Sequence, residues 1–310
     1  MLRIVHRFDY GYLLPIMAGL PLKVGYALSA LRGRFAATCG SDWRSMALGY
    51  RHVSRETLAG YRLLAPGLSD GIYRRWRAQR FATEAREEFE AQLVAAGRLP
   101  DLQCEVSSAM AQLCLNRTRG LVLMTPHFDS FFLGVGFLGR YGGTINLMTS
   151  AITRDPQVPV EVQRHFETKY RGLERYLNGG RTLDMESGLR SFYRLLDRHE
   201  TLVVLADAPA LPGGADSTVD FVGSPRLLSG GPVRLARRTG SDLGSFVCRY
   251  LGGNRYRIEL GPLGAADDAA IVQRIYRFFS TAIEQQPGHW WAADLLPAMT
   301  IATAATGETP

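Results

Sequence analysis

From Gly120 onward the chain alternates short apolar runs with stretches of helical periodicity, a pattern that only a sheet layered with helices can accommodate. The runs predict strands over Leu121–Thr125, Thr144–Met148, Leu202–Ala206, Ser245–Leu251 and Tyr256–Leu260. The stretches between and after them predict helices over Ser130–Arg140, Pro159–Arg171, Asp184–Arg198, Gly231–Thr239 and Asp267–Gln285. In the last helix Ile271, Val272, Ile275, Phe278, Phe279 and Ile283 fall on one face. Such alternation predicts an α/β fold with a mixed, mainly parallel central sheet flanked by helices. Upstream, Asp42 to Asn116 is helical in character, with a long helix from a cap at Ser69 to Ala96, closed by Gly97.

The first apolar run breaks at Thr125-Pro126 and delivers His127, with Asp129 two residues later. His127 therefore sits at a strand-to-helix corner, where open α/β sheets bind their ligands. The helix N-terminus that follows disfavours imidazolium and keeps the ring available as a base. Asp129 also suits the role of a cap on that helix's amides. Ser130 lacks a G-x-S-x-G elbow and ordered partners, so it does not read as a nucleophile.

A formal net charge of +7 and a pI near 9.4 come from arginine, since Lys23 and Lys169 are the only lysines. Arginine excess suits an anionic partner: a membrane headgroup, a phosphopantetheine or nucleotide carrier, or nucleic acid. Nucleic acid is the weakest of these, because no stacking or recognition-helix motif accompanies the charge. Neither the six histidines nor Cys39, Cys104, Cys114 and Cys248 show metal-ligand spacing, and the cysteines point to a reducing compartment.

Two stretches leave alternatives open. Tyr10 to Leu31 carries one charge, Lys23, but is interrupted by Pro15, Pro21, Gly11, Gly19 and Gly25. It reads as a membrane-interface or re-entrant hairpin, a true span, or a buried or cleaved segment. In the long helix Arg74, Arg75, Arg77 and Arg80 precede Glu84, Glu87, Glu88 and Glu90. That run reads either as a solvated face or as a docking patch for lipid phosphates or an acidic carrier.

The segments LVLMTPHF, LVVLADAPALPGGADSTVDFVGSP, LLSGGPVRLARRTGSDLGSFVCRY, NRYRIELGPL and EQQPGHWWAADLLP, following a proline-broken apolar N-terminus, resemble the bacterial lipid A lauroyl/myristoyl acyltransferase family, within the lysophospholipid acyltransferase superfamily. The resemblance implies a membrane-associating segment over 1–40 and an acyltransferase-like α/β domain over 41–298, while the tail over 299–310, low in hydrophobicity, reads as disordered. It implies an enzyme at the cytoplasmic face of the inner membrane. That enzyme moves an acyl chain from acyl carrier protein or acyl-CoA, as co-substrate and without a further cofactor, to a hydroxyl or amine of a lipid, glycolipid or specialised metabolite. The family motif is a histidine, four residues, then Asp or Glu; here His127 is in place and the acid position is Phe132.

Either Asp129 substitutes for that acid or the usual chemistry is weakened, which makes a catalytically silent lipid- or carrier-binding relative the alternative. Asp207 matches the family's strand-end aspartate, and Trp290 and Trp291 match its tryptophan-rich ending. Arg154 and Arg171 lie where basic residues would meet phosphate or the reacting carbonyl, or else form surface salt bridges. Phe128, Phe131, Phe132, Leu133, Phe137 and Leu138 would line an acyl tunnel or pack a buried helix.

Overall fold

The computed structural model describes residues 2–107, 111, 115, 117–150, 155–210 and 216–299. Its strands are β1 (Gln103–Glu105), β2 (Leu121–Thr125), β3 (Ile145–Thr149), β4 (Thr182–Asp184), β5 (Thr201–Leu205), β6 (Asp216–Phe221), β7 (Ser224–Ser229), β8 (Asp242–Gly252), β9 (Arg255–Leu260) and β10 (Gly264–Ala265). Its helices are α1 (Leu2–Phe8), α2 (Leu14–Gly19), α3 (Leu22–Cys39), α4 (Ser45–Leu48), α5 (His52–Leu64), α6 (Asp70–Ala95), α7 (Phe131–Leu138), α8 (Val160–Glu174), α9 (Arg190–Asp197), α10 (Gly231–Arg238) and α11 (Ala269–Gln285).

Seven strands run in the order β1-β9-β8-β2-β5-β3-β4, with β10 pairing β8. All neighbours are parallel except β8 with β9 and β10 with β8, so the sheet is mixed and mainly parallel. β2 lies in the middle, between β8 and β5, and every residue in it is buried. Leu121 and Leu123 join the core on one face, Val122 and Met124 the core on the other. An uninterrupted apolar run is what a strand covered on both faces requires.

The short strands β1 and β4 and the β6–β7 hairpin carry no apolar run long enough to mark them in the sequence. The helix expected over Asp184–Arg198 is shorter: it starts at Arg190, after β4, a 3₁₀ turn at Met185–Ser187, and Gly188 at φ 106°. Glycine alone takes that backbone region without strain, so the helix cannot extend back through it.

The N-terminal segment bends at Leu20-Pro21 and packs α3 along α6. A Cβ at Gly33 would collide with the Ala82 backbone, and one at Gly25 with the Phe89 ring, so the glycines permit the close approach. Among the described residues, no helix is long and apolar enough to cross a membrane.

The charged stretch of α6 is neither a solvated face nor, beyond its first turns, a docking patch. Arg74 and Arg75 are exposed and Arg77 half-buried, but Arg80, Glu84, Arg86, Glu87, Glu88 and Glu90 are all buried. Partners from distant elements neutralise them. Arg80 reaches Asp42 at 3.1 Å and Glu84 at 2.6 Å, Arg32 bridges Glu88 and Asp9, Lys169 pairs with Glu87, and Arg86 joins Glu90 to Asp129. Buried charge persists only where it is paired.

Candidate active site

The parallel register of β2 and β5 sets the site. Thr125 pairs with Leu205, and the next amide, that of Ala206, donates to the Thr125 carbonyl at 2.9 Å. His127 and Asp207 each stand two residues beyond this paired row, on strands separated by the ordinary spacing of about 4.8 Å. The two residues are thereby brought side by side at the carboxyl edge of the sheet. His127 Nδ1 lies 2.7 Å from Asp207 Oδ1, and the His127 amide donates to Asp207 Oδ2 at 2.9 Å. With Nδ1 held on the carboxylate, Nε2 has no hydrogen-bond partner among the described residues, and 28% of the His127 side chain is exposed.

Asp207 is fully buried. Burial acts to raise its carboxyl, but the His127 ring, the Trp290 indole and the His127 amide outweigh it and hold the group below the ordinary aspartate range. Trp290 Nε1 donates to Oδ2 at 2.8 Å. Phe131 and Trp291 wall the imidazole, with ring centroids at 5.7 and 6.2 Å. Trp291 is fixed there by its amide on the His127 carbonyl, 2.9 Å, and by its indole on the Asp129 carbonyl, 3.2 Å.

Asp129, the acid expected to replace the missing motif residue, turns elsewhere. Its backbone is left-handed, φ 51°, and its buried carboxylate is taken by Arg86, by the Tyr250 amide at 3.0 Å and by His289 Nδ1 at 3.3 Å. Burial pushes this carboxyl up, and the Arg86 guanidinium, His289 and the Tyr250 amide bring it below its ordinary value. Nor does it cap α7, whose preceding residue, Ser130, gives its hydroxyl to Glu90 at 3.0 Å. Asp129 ties α6, β8 and the C-terminal segment together; the carboxylate on the imidazole is Asp207.

Phe132 is fully buried, with Lys169 Nζ 4.5 Å over its ring, in the core cluster that also holds Leu133, Phe137 and Leu138. Phe128 is buried in the opposite cluster, under Arg249 at 5.3 Å. Of these aromatics Phe131 is the one whose ring meets His127. Arg171 is exposed on α8, without a bond to the corner among the described residues, and Arg154 lies outside them. The amides of Phe128, Asp129 and Ser130 are already bonded to the Pro126, His289 and Cys248 carbonyls, so they are not free to act as oxyanion donors.

Sequence reasoning placed Asp207 at a strand end without giving it the imidazole. The signal was present: TPH after β2 and LAD in β5 and its extension put the two residues at equal offsets, legible once the strands are known to be neighbours. Nothing in the sequence foretold the indole bond, because it depends on how the C-terminal segment folds back.

The fold and this corner define an open α/β protein presenting an acid-braced histidine at the carboxyl edge of its sheet. The model of the family described as bacterial lipid A biosynthesis acyltransferase matches residues 109–292, more than half of the chain. The chain belongs to that family and is an acyltransferase acting on lipid-type substrates. It is also similar to the phosphatidylinositol mannoside acyltransferase of Mycolicibacterium smegmatis, 26% identical over 231 residues, which cover 69% of this chain and 71% of that protein.

Proposed function

We propose that the enzyme transfers an acyl group from a thioester of acyl carrier protein or CoA to a hydroxyl of a glycosylated lipid, with His127 as general base. The His127–Asp207 contact carries this reading. Nε2 takes the proton of the acceptor hydroxyl as its oxygen attacks the thioester carbonyl; the tetrahedral intermediate then expels the thiolate, which recovers the proton from the imidazolium. Asp207 fixes the tautomer that leaves Nε2 unprotonated and steadies the transient positive charge. The phosphatidylinositol mannoside acyltransferase among its relatives motivates a sugar hydroxyl on a phospholipid as the acceptor class. The silent-relative alternative loses its main support, since the imidazole has a buried acid although position 132 is Phe132.

Thioester consumption with a glycolipid acceptor should fall about 10³-fold in His127→Ala, within the range for general base catalysis. Unchanged turnover in that variant would overturn the assignment.

We place the protein on the membrane surface through the helical stretch from α1 to α2 and the α3 face. Ile4, Phe8, Tyr12 and Ile16 recur every four residues and are each more than half exposed, while Tyr10, Leu14 and Met17 face inward. Val24, Leu31 and Phe35 are exposed on α3, and Arg3, Arg7, Lys23 and Arg34 stand among these apolar residues. Apolar side chains ringed by cations suit an anionic interface. Replacing Ile4, Phe8, Tyr12 and Ile16 by serine should weaken sedimentation with anionic vesicles about tenfold or more; equal binding would exclude this surface.

A further inference from the structure

Asp207 Oδ2 accepts two N–H donors, the His127 amide and the Trp290 indole, while Oδ1 takes the imidazole. Trp290 and Asp207 are both fully buried. The indole is held in place on its own account: its ring stands edge-on to Phe221 at 5.8 Å, and its residue bridges in antiparallel fashion to Phe128, next to His127. Buried with its ring, the N–H donates to one acceptor among the described residues, the far oxygen of the acid that braces the base.

We infer that Trp290 is a positioning residue for catalysis, its indole N–H fixing the Asp207 carboxylate so that Oδ1 stays aimed at His127 Nδ1. The inference rests on the reading of His127 as the base and extends it to a third residue. A carboxylate pinned at one oxygen by two donors cannot rotate about its Cβ–Cγ bond, and the direction of Oδ1 sets the direction of Nε2. The indole is neutral, so it orients the acid without competing with the imidazolium for its charge, as a guanidinium there would. Among the described residues, the ionisable groups beside the trio are engaged with other partners. The Tyr276 phenol is held on the Ala206 carbonyl at 2.8 Å, and the Asp129, Arg86 and His289 group is bonded within itself and to Glu90, Gln79 and the Tyr250 amide.

The test replaces Trp290 by benzothienylalanine, which keeps the shape of the bicycle and puts sulfur in place of the N–H, alongside Trp290→Phe. In the isostere kcat should fall about tenfold, the effect of one hydrogen bond to a charged group, with KM unchanged. Loss of the donor concentrates charge on Oδ1 and favours imidazolium, so the acidic limb of the pH–rate profile should move to higher pH. The downfield proton resonance of His127 Nδ1–H should shift in the same variant, a readout that needs no substrate. Trp290→Phe should show these changes together with a lower Tm from lost packing. An isostere with wild-type kcat, pH profile and Nδ1–H resonance would overturn the inference. If the resonance moves while His127→Ala keeps full activity, the bracket stands and the catalytic reading of His127 falls instead.

Discussion

The corner after β2 and the buried length of α6 are both built around carboxylates removed from water, yet they do opposite things with them. Along α6 each charge is closed: Glu87 on Lys169, Glu88 on Arg32, Glu84 on Arg80, and Asp129 and Glu90 on Arg86. At the corner the acid is equally buried, but its partner is a neutral-capable ring that is only partly covered. A buried carboxylate alone marks neither scaffold nor catalyst; what distinguishes the two is whether its partner retains an unsatisfied, reachable atom. Asp129 and Asp207 show this most sharply, since the aspartate nearer to His127 in sequence is the one that serves the scaffold.

Asp207→Asn should break the comparison hardest. An amide cannot brace the imidazolium, and one that turns its NH₂ to Nδ1 selects the wrong tautomer, so kcat should drop on the order of 10³-fold, about 4 kcal/mol of barrier. Thermal unfolding should change little beside that loss, and a variant with wild-type kcat would erase the distinction between the regions. Asp129→Ala should do the reverse, taking away one of the two carboxylates that buried Arg86 bridges and costing about 3 kcal/mol in denaturant unfolding. The folded fraction should retain most of its turnover; collapse of kcat in fully folded Asp129→Ala protein would move Asp129 into the catalytic region.

Glu90 sharpens the contrast through pH. Burial pushes its carboxyl up to about 7, against the pull of Arg86, Tyr256 and Ser130. A carboxyl raised on folding binds its proton more tightly in the native state, so its contribution to stability is full below the unfolded value and is lost as pH rises through the folded one. Between pH 5 and 7 that loss amounts to about 2 kcal/mol. Stability curves of Glu90→Gln should lack this decline, and identical slopes in the two proteins would show that Glu90 does not hold its proton.

The sequence displayed the sheet because β2, β3, β5, β8 and β9 are apolar runs, and their order could be read with no knowledge of their neighbours. It displayed His127 because a strand broke there. It misread α6 because opposite charges gathered on one helix look solvated until the partners, Asp9, Arg32, Asp42 and Lys169, arrive from far along the chain. It misassigned Asp129 for the related reason that a short separation suggests contact, whereas φ 51° turns this residue's side chain toward Arg86.

His127 and Asp207 meet because two adjacent parallel strands end level with one another, although 80 positions separate them along the chain. The pair is thus assembled by main-chain hydrogen bonding before any substrate arrives, and its alignment is indifferent to the length of what is threaded between. The aim of the base is therefore set by the pairing of β2 with β5 and by the equal offset of each residue beyond it, so that one residue inserted between Thr125 and His127, or between Leu205 and Asp207, would part the imidazole from its acid.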